Sequence, residues 1–105
     1  MPKLELAGNL YEVDKYGFLQ EPERWSEEVA RAYARLEGVD ELTEEHWRVI
    51  NYLRDYYAKN GICPMVRKML KETGLSLKRV WELFPQGPAQ SACKWAGIPR
   101  PTGCV

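Results

Sequence analysis

The sequence predicts an α+β fold: a small N-terminal antiparallel β meander packed on an array of about five helices, with a flexible C-terminal arm. Three observations predict it. Residues 3–19 alternate apolar and polar around turn residues, and residues 25–96 carry apolar side chains at helical spacing. The last eight residues, from Ile98, hold two prolines and a glycine and show no helical stripe. At 105 residues the chain is long enough for one core and too short for two. The expected division is a globular unit over 1–97 and a mobile arm over 98–105.

In the meander, Lys3-Leu4-Glu5-Leu6 alternates, Gly8-Asn9 reads as a two-residue hairpin turn, and Leu10-Tyr11-Glu12-Val13 resumes the strand. Asp14-Lys15-Tyr16-Gly17 supplies a second turn before Phe18-Leu19. So small a sheet needs helices against its apolar face. The first helix places Trp25, Val29, Ala32, Tyr33 and Leu36 inward and closes at Gly38. Thr43 is a good N-cap for the second, with Glu44 and Glu45 at the positive end of its dipole. Its stripe of Trp47, Ile50, Leu53, Tyr56 and Tyr57 runs to Gly61, a C-terminal stop.

Pro64 suits the first turn of a third helix, with Val66, Met69 and Leu70 inward as far as Gly74. Ser76 caps a fourth, with Val80, Trp81 and Phe84 inward and Pro85 as terminator. Gly87-Pro88 opens a fifth, which carries Ala89, Ala92, Cys93 and Ala96 and ends at Gly97.

Hydrophobic residues at 45% and charged residues at 29% describe an ordinary globular protein. Apolar runs are too short to span a membrane, and the N-terminus lacks the apolar stretch of a signal peptide, so a cytoplasmic protein is expected. A monomer is expected as well. Net charge is zero but uneven: residues 1–60 hold 13 acidic against 8 basic side chains, and residues 61–105 hold 2 against 7. A basic C-terminal half can meet an acidic partner or a nucleic acid.

Three cysteines in a cytosolic chain point to thiol chemistry more than to a disulfide framework. Cys104 is penultimate, on a segment that cannot form a core of its own. One reading is a carrier thiol on a tether with a reach of roughly 25 Å; the other is an incidental cysteine at a loose end. The terminal carboxylate raises the pKa of such a thiol, while Arg100 and Lys94 lower it if the arm docks. Cys93, fewer than a dozen residues upstream, either resolves a persulfide on Cys104 or simply packs in an alanine-lined helix face. Cys63 stands at the start of a predicted helix, where packing is the plainer role.

A zinc site would need Cys63, Cys93, Cys104 and His46 together, and no CxxC or HxxxH pairing supports it; no metal and no cofactor are expected. His46, in the first turn of a long helix, reads as a capping or surface residue and not as a catalytic base. Residues 65–84 also fit helix-turn-helix, with Arg67, Lys68, Lys71, Lys78 and Arg79 available for phosphates, which makes DNA binding the rival from a different class. Its second helix is short for recognition, and Trp81 and Phe84 look like core residues.

The C-terminal stretch closely resembles the DsrC/TusE sulfur-relay family. The resemblance lies in Leu83-Phe84-Pro85-Gln86-Gly87-Pro88, Ala92-Cys93-Lys94, Ala96-Gly97-Ile98-Pro99 and Pro101-Thr102-Gly103-Cys104-Val105. Gly17-Phe18-Leu19, Trp25, Leu42-Thr43-Glu44-Glu45-His46-Trp47 and Tyr52-Leu53-Arg54 extend it over nearly the whole chain. That family includes the gamma subunit of dissimilatory sulfite reductase.

The resemblance implies that Cys104 matches the family's sulfur-carrying cysteine. It also implies that Cys93 matches the second cysteine of members tied to dissimilatory sulfur metabolism, which members serving tRNA thiolation usually lack. On that analogy the two hold sulfite-derived sulfur as a trisulfide, later reduced by a membrane-associated thiol–disulfide complex. The implied partners are dissimilatory sulfite reductase and that complex, or other sulfurtransferases. The chain would be a carrier acting as co-substrate, at most a sulfurtransferase. One departure stands out. Members that dock with sulfite reductase often carry an extra loop between the third and fourth helices, where Lys71-Glu72-Thr73-Gly74-Leu75-Ser76 is a tight turn here.

Overall fold

The computed structural model describes residues 2–99. Two strands, β1 (Lys3–Leu6) and β2 (Asn9–Glu12), pair antiparallel with Leu4 opposite Tyr11 and Leu6 opposite Asn9. Facing residues share a side of the sheet, so Leu6 and Tyr11 go into the core while Leu10, opposite Glu5, stays 62% exposed. The turn is Ala7-Gly8, both in the left-handed region at φ 51° and 85°, and not the expected Gly8-Asn9. Asn9 belongs to the strand. The meander's third leg is a single bridge, Val13 to Leu19. Its turn is fixed by the Asp14 carboxylate, which accepts from the amides of Tyr16 and Phe18 at 2.9 Å each.

The helices follow the expected order, with revised edges. Helix α1 (Glu27–Leu36) is capped by Ser26, and Trp25 lies just outside it. Leu36, expected inside, is 61% exposed. The chain reverses at Gly38 (φ 91°) in a Schellman turn, Val39 N–H donating to Ala34 and Gly38 N–H to Arg35. That turn brings Val39 against the core in place of Leu36. Helix α2 (Glu44–Asn60) starts at the Thr43 cap and stops at Gly61 in left-handed conformation, burying His46, Val49, Ile50 and Leu53.

Helix α3 (Val66–Thr73) begins two residues after Pro64, with Met65 in the cap position, and ends at Gly74 (φ 76°). The Ser76 hydroxyl caps α4 (Leu77–Leu83), accepting from the Arg79 amide at 3.1 Å. Val80 and Phe84 are fully buried, but Trp81 is 51% exposed. Its ring packs against Gly87, where a Cβ would sit 2.7 Å from the indole. Trp81 roofs the next turn instead of entering the core.

The fifth helix is not uniform. A π turn, Pro88–Ala92, runs into one short α turn, α5 (Cys93–Trp95). This segment packs against both α1 and α2 at the centre of the array.

Candidate functional site

The site is built around Cys93 and the last described residues, Gly97 to Pro99. Cys93 opens α5 and is buried, its Sγ donating to the Pro88 carbonyl at 3.5 Å across the π turn. Two devices fix the segment from outside. Ser91 is fully buried; its hydroxyl accepts from the Gln86 amide at 2.8 Å and donates to the Glu37 carboxylate at 2.5 Å. Lys94 meets the other oxygen of Glu37 at 3.6 Å, both side chains nearly buried, and its stem covers Gly17. The C-terminus of α1 thus grips the segment through one carboxylate. Lys94 is therefore committed to Glu37 and is not the cation that would activate a docked thiol.

The second device caps the last carbonyls. The Trp25 indole N–H donates to the Trp95 carbonyl and the Arg54 guanidinium to the Ala96 carbonyl, each at 2.8 Å. Arg54 lies 3.8 Å over the Trp25 ring, so the two form one stacked clamp, with positive charge where a helix end favours it. Gly97 (φ 71°) passes directly beneath that indole, where a Cβ would collide with the ring. The Ile98 amide then turns back to the Cys93 carbonyl at 3.3 Å. A shallow groove of about 170 Å³, bordered by Arg54, Tyr57, Gly97 and Pro99, lies at the exit.

His46 props the segment from beneath. Its Nδ1 accepts from the Thr43 amide at 2.9 Å, closing a capping box, and its Nε2–H donates to the Leu83 carbonyl at 2.8 Å. Both ring nitrogens are occupied, which makes His46 a buried cap and neither a surface residue nor a base. Its ring stacks on Trp95 at 6.0 Å and meets Phe84 edge-on at 5.3 Å. Desolvation lowers its pKa below the ordinary histidine value, consistent with a neutral ring.

Cys63 is the unexpected member. It lies in the connection before α3, three residues ahead of the helix, and is half-buried. Its Sγ donates to the Pro99 carbonyl at 3.5 Å, and its thiol interacts directly with that of Cys93. The pair splits the two acidities. The hydrogen bond from Cys93 lowers the Cys63 pKa against the opposing effect of burial. The same contact, then burial, pushes the Cys93 thiol far up. Of the two, Cys63 is the thiol whose ionised form the contact favours, and Cys93 is the one whose protonated form it favours.

The structure thus joins Cys93 to Cys63, a pairing that nothing in their spacing suggests. Cys104 lies outside the described residues. Among the described residues no three His, Cys, Asp or Glu side chains gather as metal ligands, and no helix is long and apolar enough to cross a membrane. On α4, Arg79 is held by Glu45 at 2.5 Å and Glu82 at 3.1 Å, which commits a side chain that a DNA-binding reading would need. Trp25, Arg54 and Gly97 escaped the sequence reading as site residues. Their one signal was that all three fall within the segments carrying the family resemblance.

The profile of the DsrC-like protein family matches residues 5–105. The chain belongs to the DsrC family. It is 47% identical to the gamma subunit of dissimilatory-type sulfite reductase from Nitratidesulfovibrio vulgaris over 105 residues, the full length of both. It is 38% identical to the sulfurtransferase TusE of Escherichia coli, covering 97% of this chain and 99% of that one. Among solved DsrC structures, the oxidized gamma subunit from Archaeoglobus fulgidus superposes with a TM-score of 0.86 at 47% identity, covering 99% of this chain and 100% of that one. A chain in the crystal structure of dissimilatory sulfite reductase I superposes with a TM-score of 0.90 at 46% identity and the same coverage. The helix-turn-helix of residues 65–84 is thus part of a DsrC fold.

Proposed function

We propose that this DsrC-family protein is a sulfur carrier that holds persulfide or trisulfide sulfur on Cys104, with Cys93 as resolving cysteine, in partnership with dissimilatory sulfite reductase. The observation that carries the reading is the exit geometry. Pro99, the last described residue, is exposed, and its carbonyl binds Cys63, which in turn touches Cys93. Cys104 lies five positions beyond Pro99, a span of roughly 17 Å when extended, so it can either reach outward or return to Cys93.

The chemistry runs in balanced steps. Cys104 thiolate attacks the outer sulfur of a donor persulfide; the donor thiolate leaves and Cys104 becomes the persulfide. Attack of Cys93 on the Cys104 Sγ then expels the outer sulfur as sulfide and leaves a Cys93–Cys104 disulfide. A trisulfide needs sulfur two electrons more oxidised: sulfite-derived sulfur at the S(OH)2 level condenses with both thiols, its two oxygens leaving as water, and is kept between Cys93 and Cys104. Four electrons and four protons from an external dithiol system, the membrane-associated complex of the family analogy, return the trisulfide to two thiols and hydrogen sulfide. Because Cys93 holds its proton, the persulfide survives in the free protein, as a carrier requires.

The higher identity to the sulfite reductase subunit and the presence of Cys93 favour this branch over sulfur transfer toward tRNA thiolation. The tight turn at Gly74 favours the latter. Intact-mass analysis after loading with a polysulfide tests the carrier. The Cys93→Ala protein should retain one added sulfur on the Cys104 peptide, and Cys104→Ala should gain none. Equal loading of both variants and the parent would refute the two-cysteine mechanism. Binding of purified dissimilatory sulfite reductase to the parent chain decides between the branches.

A further inference from the structure

We propose that Cys63 is a third redox thiol, the internal exchange partner of Cys93, whose attack on a Cys93–Cys104 disulfide forms Cys63–Cys93 and sets Cys104 free. The inference rests on the reading above for the identity of the bond attacked, but the Cys63–Cys93 couple itself stands on its own geometry. Cys63 reaches over the turn that links Cys93 to the exit: it binds the Pro99 carbonyl, while the Ile98 amide binds the Cys93 carbonyl. The two thiols are in direct side-chain contact. No other cysteine among the described residues is available to either.

Exchange needs a thiolate as attacker and, on the far side of the sulfur under attack, a partner sulfur that can leave as thiolate. Cys63 is half-buried, where solvent can take its proton, and the Cys93 contact favours its ionised form. Cys93 is buried and fixed by the π turn, which holds the target sulfur still. In the step, the Cys63 Sγ bonds to the Cys93 Sγ while the Cys93–Cys104 bond breaks. The electron pair leaves with the Cys104 Sγ, which departs as thiolate. One disulfide replaces another and no external oxidant or reductant is consumed. Cys104 could then accept sulfur again while the oxidising equivalents wait in the core as Cys63–Cys93, for later reduction by the same external dithiol system.

Cys104→Ala tests the couple without the arm. With diamide, Cys63 thiolate adds to the azo bond and Cys93 displaces the hydrazine, so a protein lacking two hydrogens should form. Non-reducing peptide mapping should then join the Cys63 and Cys93 peptides. In the parent, a preformed Cys93–Cys104 disulfide should convert to Cys63–Cys93, exposing Cys104 to maleimide at least about tenfold faster than in Cys63→Ser, where the bond should persist. If folded Cys104→Ala, verified by circular dichroism, keeps both thiols free after diamide, the proposal is overturned whatever Cys104 does. If the couple forms there while no Cys104-linked product ever appears in the parent, the couple is upheld and the carrier reading of the preceding section fails instead.

Discussion

Helix α2 and the segment 88–97 are built in opposite ways. Helix α2 is specified by its own sequence: Thr43 starts it, His46 closes the capping box three residues on, Glu44 and Glu45 suit the dipole, and Gly61 stops it. Segment 88–97 has little local support. It is part π turn and part single α turn, and no side chain caps the N-terminus of either piece. What holds it comes from far along the chain: Glu37 on Ser91 and Lys94, Trp25 and Arg54 on the last carbonyls, Trp81 over Gly87. A scaffold helix can be encoded locally. The Cys93 thiol is placed by partners that converge on its segment from far along the chain.

Two glycines with the same dihedral break that comparison most sharply. Gly61 and Gly97 both have φ 71°, but a Cβ at Gly61 meets open space and one at Gly97 meets the Trp25 ring. Gly61→Ala should cost only the left-handed penalty, about 1 kcal/mol. Gly97→Ala adds displacement of a clamped indole and should cost about 3 kcal/mol, and it should also raise the reactivity of Cys93 toward alkylation. Urea denaturation gives both values. Equal costs would mean that the Trp25–Arg54 clamp yields freely and does not fix the exit.

His46 belongs to both regions, so replacing it sharpens the contrast. Glutamine is itself a good capping-box residue, and His46→Gln should leave α2 intact by far-ultraviolet circular dichroism. It should still cost about 2 kcal/mol, because the Leu83 carbonyl loses its buried donor and Trp95 its stacked ring. The pH dependence carries a second signature. Desolvation lowers the folded-state pKa, so as pH falls below 6.5 the unfolded chain takes up the proton first and stability drops. Above 6.5 this contribution is fully present. The decline between 6.5 and the carboxylate range should be absent in His46→Gln; a decline of equal slope would assign it to other groups.

Legibility in the sequence follows the same division. Thr43, Ser76, Gly38, Gly61 and Gly74 announce their caps through local chemistry, and each does what it announces. Trp81 and Leu36 mislead because helical spacing marks them as apolar without saying that a Schellman turn or a neighbouring glycine would claim their place. Cys93 was a candidate from its spacing to Cys104 and its match to the family. Its contact with Cys63 was not legible: thirty positions separate them, and neither periodicity nor capping relates two side chains across a tertiary fold.

The smallest effect concerns the hairpin, and its sign is reversed. Reading Gly8-Asn9 as the turn put the only left-handed cost on residues that tolerate it. The observed turn places Ala7 at φ 51°, the one non-glycine residue with positive φ among those described. Alanine has no side-chain polar group to offset that conformation, whereas asparagine populates it readily. The two-residue turn with both φ values positive is the type that favours Asn-Gly. Ala7 is exposed and outside the strands, so Ala7→Asn removes no packing. It should stabilise the protein by up to about 1 kcal/mol, read as a higher urea midpoint with unchanged slope. The hairpin lies remote in sequence from the thiols, so maleimide labelling of Cys63 and Cys93 should stay as in the parent. A loss of stability instead would show that the register pairing Leu6 with Asn9 is wrong and that Gly8-Asn9 forms the turn after all.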